Sequence, residues 1–223
     1  MKKFFISSLV VIGVLFSGCG DSEDSSSDNV KEQPSLSSSY NLQDISQDTF
    51  DVTLTGTDTD GGNWEGSMSI QERGTDYING VSYKLIENYV YLMETNSGFS
   101  SSGITQSYIN SKGLSAYMIT DEGVICEMVN NPLSMSTNVK IGDFGEGGDY
   151  VCSDGSTSSS NWQLKAENGY AKFIYTTDTR ISGTLMYTNT MTITLDESSN
   201  ATNLNMVVYY PDSGVKLTLD GER

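Results

Sequence analysis

The chain contains no histidine. Imidazole is the usual general base near neutral pH and a common metal ligand. Its absence excludes Ser–His–Asp and Cys–His catalysis as normally built, and zinc sites with His ligands. Carboxylate pairs remain a catalytic option, because they need no histidine. Basic residues are scarce, 12 Lys and Arg against 29 Asp and Glu, for a net charge of −17. That balance argues against nucleic acid or an anionic surface as partner, since both are held by positive charge. No GxSxG, no phosphate-binding glycine loop ending in Lys-Ser/Thr and no SxxK occurs. Proline appears three times and cysteine three times. No segment carries a convincing helical period.

The one long apolar run is "FFISSLVVIGVLF", Phe4 to Phe16, after Lys2 and Lys3. It falls short of the roughly 20 residues of a membrane-spanning helix and has the length of a signal-peptide core. Ser17, Gly18 and Cys19 follow. The stretch "LFSGC" resembles the lipobox of bacterial lipoproteins, with Phe16 where that family favours Leu. The resemblance implies cleavage before Cys19 and lipid on its thiol, so that residues 1–18 form a signal peptide. The partner it implies is a membrane, reached through that lipid. Gly20, rather than Asp, implies export to the outer membrane by analogy with enteric lipoproteins.

Residues 19–47 are rich in Ser and Asp and poor in large apolar side chains. Such a segment buries too little surface to offset its ordering entropy, and it reads as a disordered tether. Cys126 and Cys152 then remain as a pair, and in an exported chain an even pair forms a disulfide. The closed loop of about 27 residues stabilises by about 3.5 kcal/mol in the chain-entropy model.

From residue 48 to 223 the dominant period is two, as expected for one all-β domain. "NWQLKAE" alternates Trp162, Leu164 and Ala166 with Gln163, Lys165 and Glu167. "ISGTLMYTNTMTITLD" puts Tyr187, Met191, Ile193 and Leu195 in one set and a row of threonines in the other. Strands send such sets to opposite faces. The second run reads as one long strand with a bend near Gly183 or Asn189. Gly, Asn and Asp clusters punctuate the runs, with hairpins expected at Asn168–Gly169 and Pro211–Gly214. Ten to twelve strands with short turns predict an antiparallel meander curled into a barrel-like sheet, with a β-sandwich as the alternative. The polar outward sets exclude a barrel whose outer wall faces lipid.

Three features are candidates for function. "KIGDFGEGGDYVCSDGS" places Asp143, Glu146, Asp149 and Asp154 among glycines, a set that could converge on calcium. The pattern "GDxG…Y.CSDG" followed by Trp162 looks like a motif of uncharacterised exported bacterial β-proteins, and it implies no activity. "TDTDGGNWE" holds Asp58, Asp60 and Glu65 and reads first as a hairpin turn. Tyrosine dominates the aromatics, 13 against 2 Trp. Tyr83, Tyr89 and Tyr91 cluster, and such rings suit protein or glycan recognition. The resulting expectation is a lipid-anchored envelope protein acting as a non-enzymatic binding or structural module. The alternatives are a carbohydrate-active enzyme with paired carboxylates and a lipocalin-like carrier with a hollow apolar interior.

Overall fold

The computed structural model describes residues 17–18, 36–42, 47–48, 50–111, 113–130 and 138–222. Cys19 and most of the signal and tether segments lie outside them. Two short strands, β1 (Ser17–Gly18) and β2 (Gln47–Asp48), pair in parallel. The remaining strands are β3 (Phe50–Asp58), β4 (Asn63–Ile78), β5 (Val81–Glu94), β6 (Ser100–Ile109), β7 (Ser115–Thr120), β8 (Ile125–Met128), β9 (Phe144–Cys152), β10 (Ser156–Glu167), β11 (Tyr170–Ile181), β12 (Thr184–Leu195), β13 (Ala201–Tyr210) and β14 (Val215–Glu222). Each pairs antiparallel with the next, and β14 pairs with β3 to close a barrel. The all-β meander expected from the period-two pattern is therefore present, as a barrel rather than a sandwich.

The turns explain why the strands succeed one another so tightly. Asn79–Gly80, Asn168–Gly169 and Ser182–Gly183 each have two successive positive φ angles. That geometry matches the twist of flanking strands and makes two-residue hairpins. The run from Ile181 to Asp196 is consequently not one bent strand. Ser182–Gly183 reverses the chain between β11 and β12. A two-residue turn preserves the odd–even alternation, so the pattern conceals the reversal.

An antiparallel meander puts alternate turns at opposite rims. β3 begins, and β14 ends, at the rim that carries residues 79–80, 110–111, 113–114, 129–130, 138–143, 168–169 and 196–200. We call this the N-terminal rim. Residues 59–62, 95–99, 121–124, 153–155, 182–183 and 211–214 form the opposite rim. Tyr40 exchanges two backbone hydrogen bonds with Val139, at 2.7 and 2.9 Å. The Asn41 amide donates to Ser199 Oγ at 3.2 Å. Tyr40, Leu42, Leu114 and Val139 are buried in the main core. The packed body thus takes in Tyr40 and Leu42, upstream of the boundary expected at residue 48, and they plug the N-terminal rim.

An eight-stranded barrel is just wide enough for side chains to fill, so twelve strands demand larger contents. Inward-facing rings supply much of the volume. Trp162 lies 6.3 Å from Phe173, Phe173 lies 6.4 Å from Tyr175, and Tyr187 lies 6.1 Å from Tyr210. Leu54, Met68, Ile70, Ile86, Leu164 and Leu219 retain no accessible surface, so the interior around them is packed. The glycines of β9 make room for these rings. A Cβ on Gly145 would sit 2.9 Å from the Trp162 indole, and one on Gly147 would sit 2.6 Å from Tyr175 Cε2.

The shortest ladders flank β8, which pairs over three rungs with β7 and three with β9. Cys126 and Cys152 face each other on the β8–β9 ladder and form a disulfide. The expected bridge therefore staples the barrel at its shortest strand.

Candidate binding surface

The four carboxylates proposed as calcium ligands do not converge. Asp143 caps a turn at the N-terminal rim, where its Oδ2 accepts from the Lys140 amide at 2.9 Å. Glu146 points outward and is exposed. Asp149 is paired with Asn130, accepting from Nδ2 at 3.0 Å and donating its amide to Oδ1 at 2.8 Å. Asp154 sits at the opposite rim and accepts from the amide and hydroxyl of Ser156. β9 separates Asp143 from Asp154 by its whole length, about 30 Å at 3.3 Å per residue. No group of three or more metal-ligating side chains occurs among the described residues. The glycines between these carboxylates serve ring packing instead.

Asp58 is likewise a turn residue. Its Oδ1 accepts from the amides of Asp60 and Gly62, both at 2.9 Å, and its Oδ2 accepts from Trp64 Nε1 at 2.8 Å. Glu94 plays the same part in the next turn at that rim, accepting from the amides of Asn96 and Ser97. The Ser97 side chain first, and those amides after it, hold its carboxyl below the usual range.

The tyrosines behave differently. Tyr83, Tyr89 and Tyr91 share the parity of β5 that points outward, because Ile86, Asn88, Val90 and Leu92 point in. All three are half-buried on the outer wall. Two further tyrosines join them. Leu85, Tyr108, Tyr117, Glu127 and Val151 form one rung across β5, β6, β7, β8 and β9. The Tyr83 ring meets Tyr117 edge to face at 5.6 Å and Tyr108 at 6.4 Å. Tyr108 OH donates to Asp76 Oδ2 at 3.3 Å, and Tyr117 OH donates to Glu127 Oε1 at 3.2 Å. Burial, reinforced by those carboxylates, pushes both phenols up. They stay neutral, with their hydroxyls held by neighbouring carboxylates. The next outward rung adds Ile119 and Ile125, and the one beyond pairs Tyr89 with Ile104.

Comparison of the chain with family models, with curated proteins and with solved structures returns no match. The wall must be read from its own chemistry. The opposite wall offers the contrast. Outward positions of β10, β11 and β12 include Asn161, Gln163, Lys172, Thr176, Asp178, Thr188, Thr190 and Thr192. The outer face of β5 to β9 sets aromatic and aliphatic side chains among Glu87, Gln106 and Glu127, whereas that of β10 to β12 is mainly hydroxyl, amide and charged, with Ile174 and Met186 among them.

Inside, a polar quadrant lies near the opposite rim. Ser158, Thr179 and Tyr187 are successive partners on one rung, and Ser160, Thr177 and Asn189 are successive partners on the next. Ser160 and Thr177 hydroxyls bond at 3.0 Å. The side-chain oxygens of Ser158, Thr179, Tyr187 and Asn189 are buried without a partner of hydrogen-bonding geometry. Asn88 and Ser107 on β5 and β6 carry further such atoms. The alternation of the strands predicts inward placement for each of these residues. It gives no sign that polar ones would gather.

Proposed function

We propose that the protein is a lipid-anchored envelope module that binds a partner through the outer wall of β5 to β9. The single observation carrying this reading is the tyrosine cluster of Tyr83, Tyr108 and Tyr117, extended by Tyr89 and Tyr91. The half-buried rings of Tyr83 and Tyr117 are braced edge to face, and Tyr83 also leans on the buried Tyr108, so binding them immobilises few rotamers. The "LFSGC" stretch supports the lipid at Cys19, and the same resemblance supports the outer membrane as its address. The packed 36–42 segment leaves the anchor and this wall on one continuous chain.

The test is binding by the purified mature protein to insoluble cell-wall glycan and to an array of soluble oligosaccharides and envelope proteins. Wild type is compared with Tyr83→Ala and Tyr117→Ala, and with Thr190→Ala on the polar wall. We expect the tyrosine variants to lose tenfold or more in affinity at unchanged thermal stability, consistent with about 1.4 kcal/mol or more per anchor ring. Equal binding by all four proteins would refute the wall as the site.

A further inference from the structure

We propose that the N-terminal rim docks onto the surface of the bilayer that holds the lipidated chain, and so stands the barrel upright on the membrane. This rests on the lipid-anchor reading above. The observation is an asymmetry between the rims. Among the described residues, four large apolar side chains are more than half exposed: Phe144 at 81%, Tyr77 at 65%, Val129 at 62% and Val81 at 53%. All four lie at the N-terminal rim. At the opposite rim the most exposed is Ile125, at 48%.

The geometry of that rim suits insertion. β4 pairs with β3 only as far as Ile70, and β5 pairs with β6 only from Lys84. The two strands continue to pair with each other up to Ile78 and Val81. Their hairpin therefore stands beyond its neighbours and carries Tyr77 and Val81 at its tip. Phe144 opens β9 on the same rim. Tyr170 sits in the β10–β11 hairpin there, with Lys172 Nζ 5.9 Å from its ring centre. An exposed ring flanked by a lysine has the chemistry of side chains that settle at the boundary between headgroups and acyl chains.

The chain enters the barrel at this rim, through Tyr40 and Leu42. The residues from Cys19 to Leu36 span at most about 60 Å when extended, so the rim is kept within reach of the bilayer. A net charge of −17 rules out long-range attraction to an anionic leaflet. Docking is by short-range apolar contact once the tether has delivered the rim, and it leaves the tyrosine wall facing sideways.

The experiment uses the full lipidated chain in vesicles of phosphatidylethanolamine and phosphatidylcholine containing brominated acyl chains. Three reporters are made: Tyr77→Trp and Phe144→Trp at the N-terminal rim, and Phe99→Trp at the other. Trp64 and Trp162 are replaced by Phe in the parent and in all three reporters, because Trp64 packs on Phe99, so each reporter carries a single tryptophan. We expect the first two reporters to be quenched at least twofold relative to unbrominated vesicles, and Phe99→Trp to be unchanged. Adding Val81→Asp to Phe144→Trp should weaken its quenching while the melting temperature is kept. Flotation with the vesicles and no quenching at either rim, or equal quenching at both, overturns the docking but leaves the anchor. Failure of the parent to float overturns the anchor and the docking with it.

Discussion

Gly147 offers the sharpest test of how the barrel is filled. An ideal Cβ there would lie 2.6, 2.7 and 2.8 Å from Cε2, the hydroxyl oxygen and Cζ of Tyr175. Ordinary contact begins near 3.4 Å, so the overlap is about 0.6–0.8 Å at three atoms. The ring has little freedom to yield. It is 5% exposed, leans on Phe173, and its hydroxyl donates to the Gly147 carbonyl at 3.4 Å. Gly147 is not among the positive-φ residues, so the backbone itself accepts alanine. Gly147→Ala should therefore destabilise by steric overlap alone, by about 1–3 kcal/mol. For a domain of this size that is a fall in melting temperature of about 2–12 °C. The assay is calorimetry or urea unfolding, with a double-mutant cycle against Tyr175→Leu. Removing the ring should shrink the cost of the alanine, giving a coupling of about 1 kcal/mol or more. A melting temperature within a degree of wild type, or the same loss in both backgrounds, would refute the argument that β9 glycines exist to seat rings.

Millimolar calcium should leave the melting temperature of the wild type unchanged, and Asp143→Asn with Asp149→Asn should not alter that. A rise of several degrees would mean that the carboxylates converge after all. Ser158→Ala removes a buried hydroxyl without a partner of hydrogen-bonding geometry and should be neutral or stabilising by about 1 kcal/mol in urea titrations. A loss of that size would show that the hydroxyl is satisfied in solution. Replacing both Cys126 and Cys152 by alanine should lower stability by about 3.5 kcal/mol for a 27-residue loop, and a loss below about 1 kcal/mol would show that β8 holds without its staple. Burial pushes the Tyr175 and Tyr187 hydroxyls up to about 12, and Tyr210 further. Unfolded phenols ionise near 10, so above that pH the unfolded state binds fewer protons than the native state and stability falls. The contribution is complete below about pH 10 and lost as pH rises through about 12. Ultraviolet titration should show a late tyrosine phase coincident with unfolding. A single phase near pH 10 with the fold intact would contradict it.

The alternation along β10 and β12 and the Asn168–Gly169 turn signal made those strands, their inward sets and that hairpin readable without coordinates. What it concealed follows from the same regularity. Ser182–Gly183 turns the chain while keeping odd residues odd, so two strands read as one. Gly145 and Gly147 looked like freedom for a metal loop. Their real neighbours, Trp162 and Tyr175, are brought in by ladder pairing and by strand succession, which no local pattern encodes. The Tyr83, Tyr89 and Tyr91 set was visible as a cluster on one strand. Tyr108 and Tyr117 join it only through the β5–β6–β7 register, and each sits beside a different set of sequence neighbours. Tyr40 was hidden by composition: Ser and Asp surround it, and burial of the one ring and Leu42 depends on Val139, far along the chain.

The seam that closes the barrel, six rungs between β3 and β14, has a mechanical consequence. Both strands release their free ends at the same rim. Tension between the two termini would open that seam like a zip, one rung at a time. Tension between the N-terminal segment and a grip on the β5–β9 wall pulls β3 along its own axis. It then loads the β3–β14 and β3–β4 ladders in shear, with many rungs sharing the force at once. A barrel held at its N-terminus and seized on its tyrosine wall is therefore pulled in its strong direction.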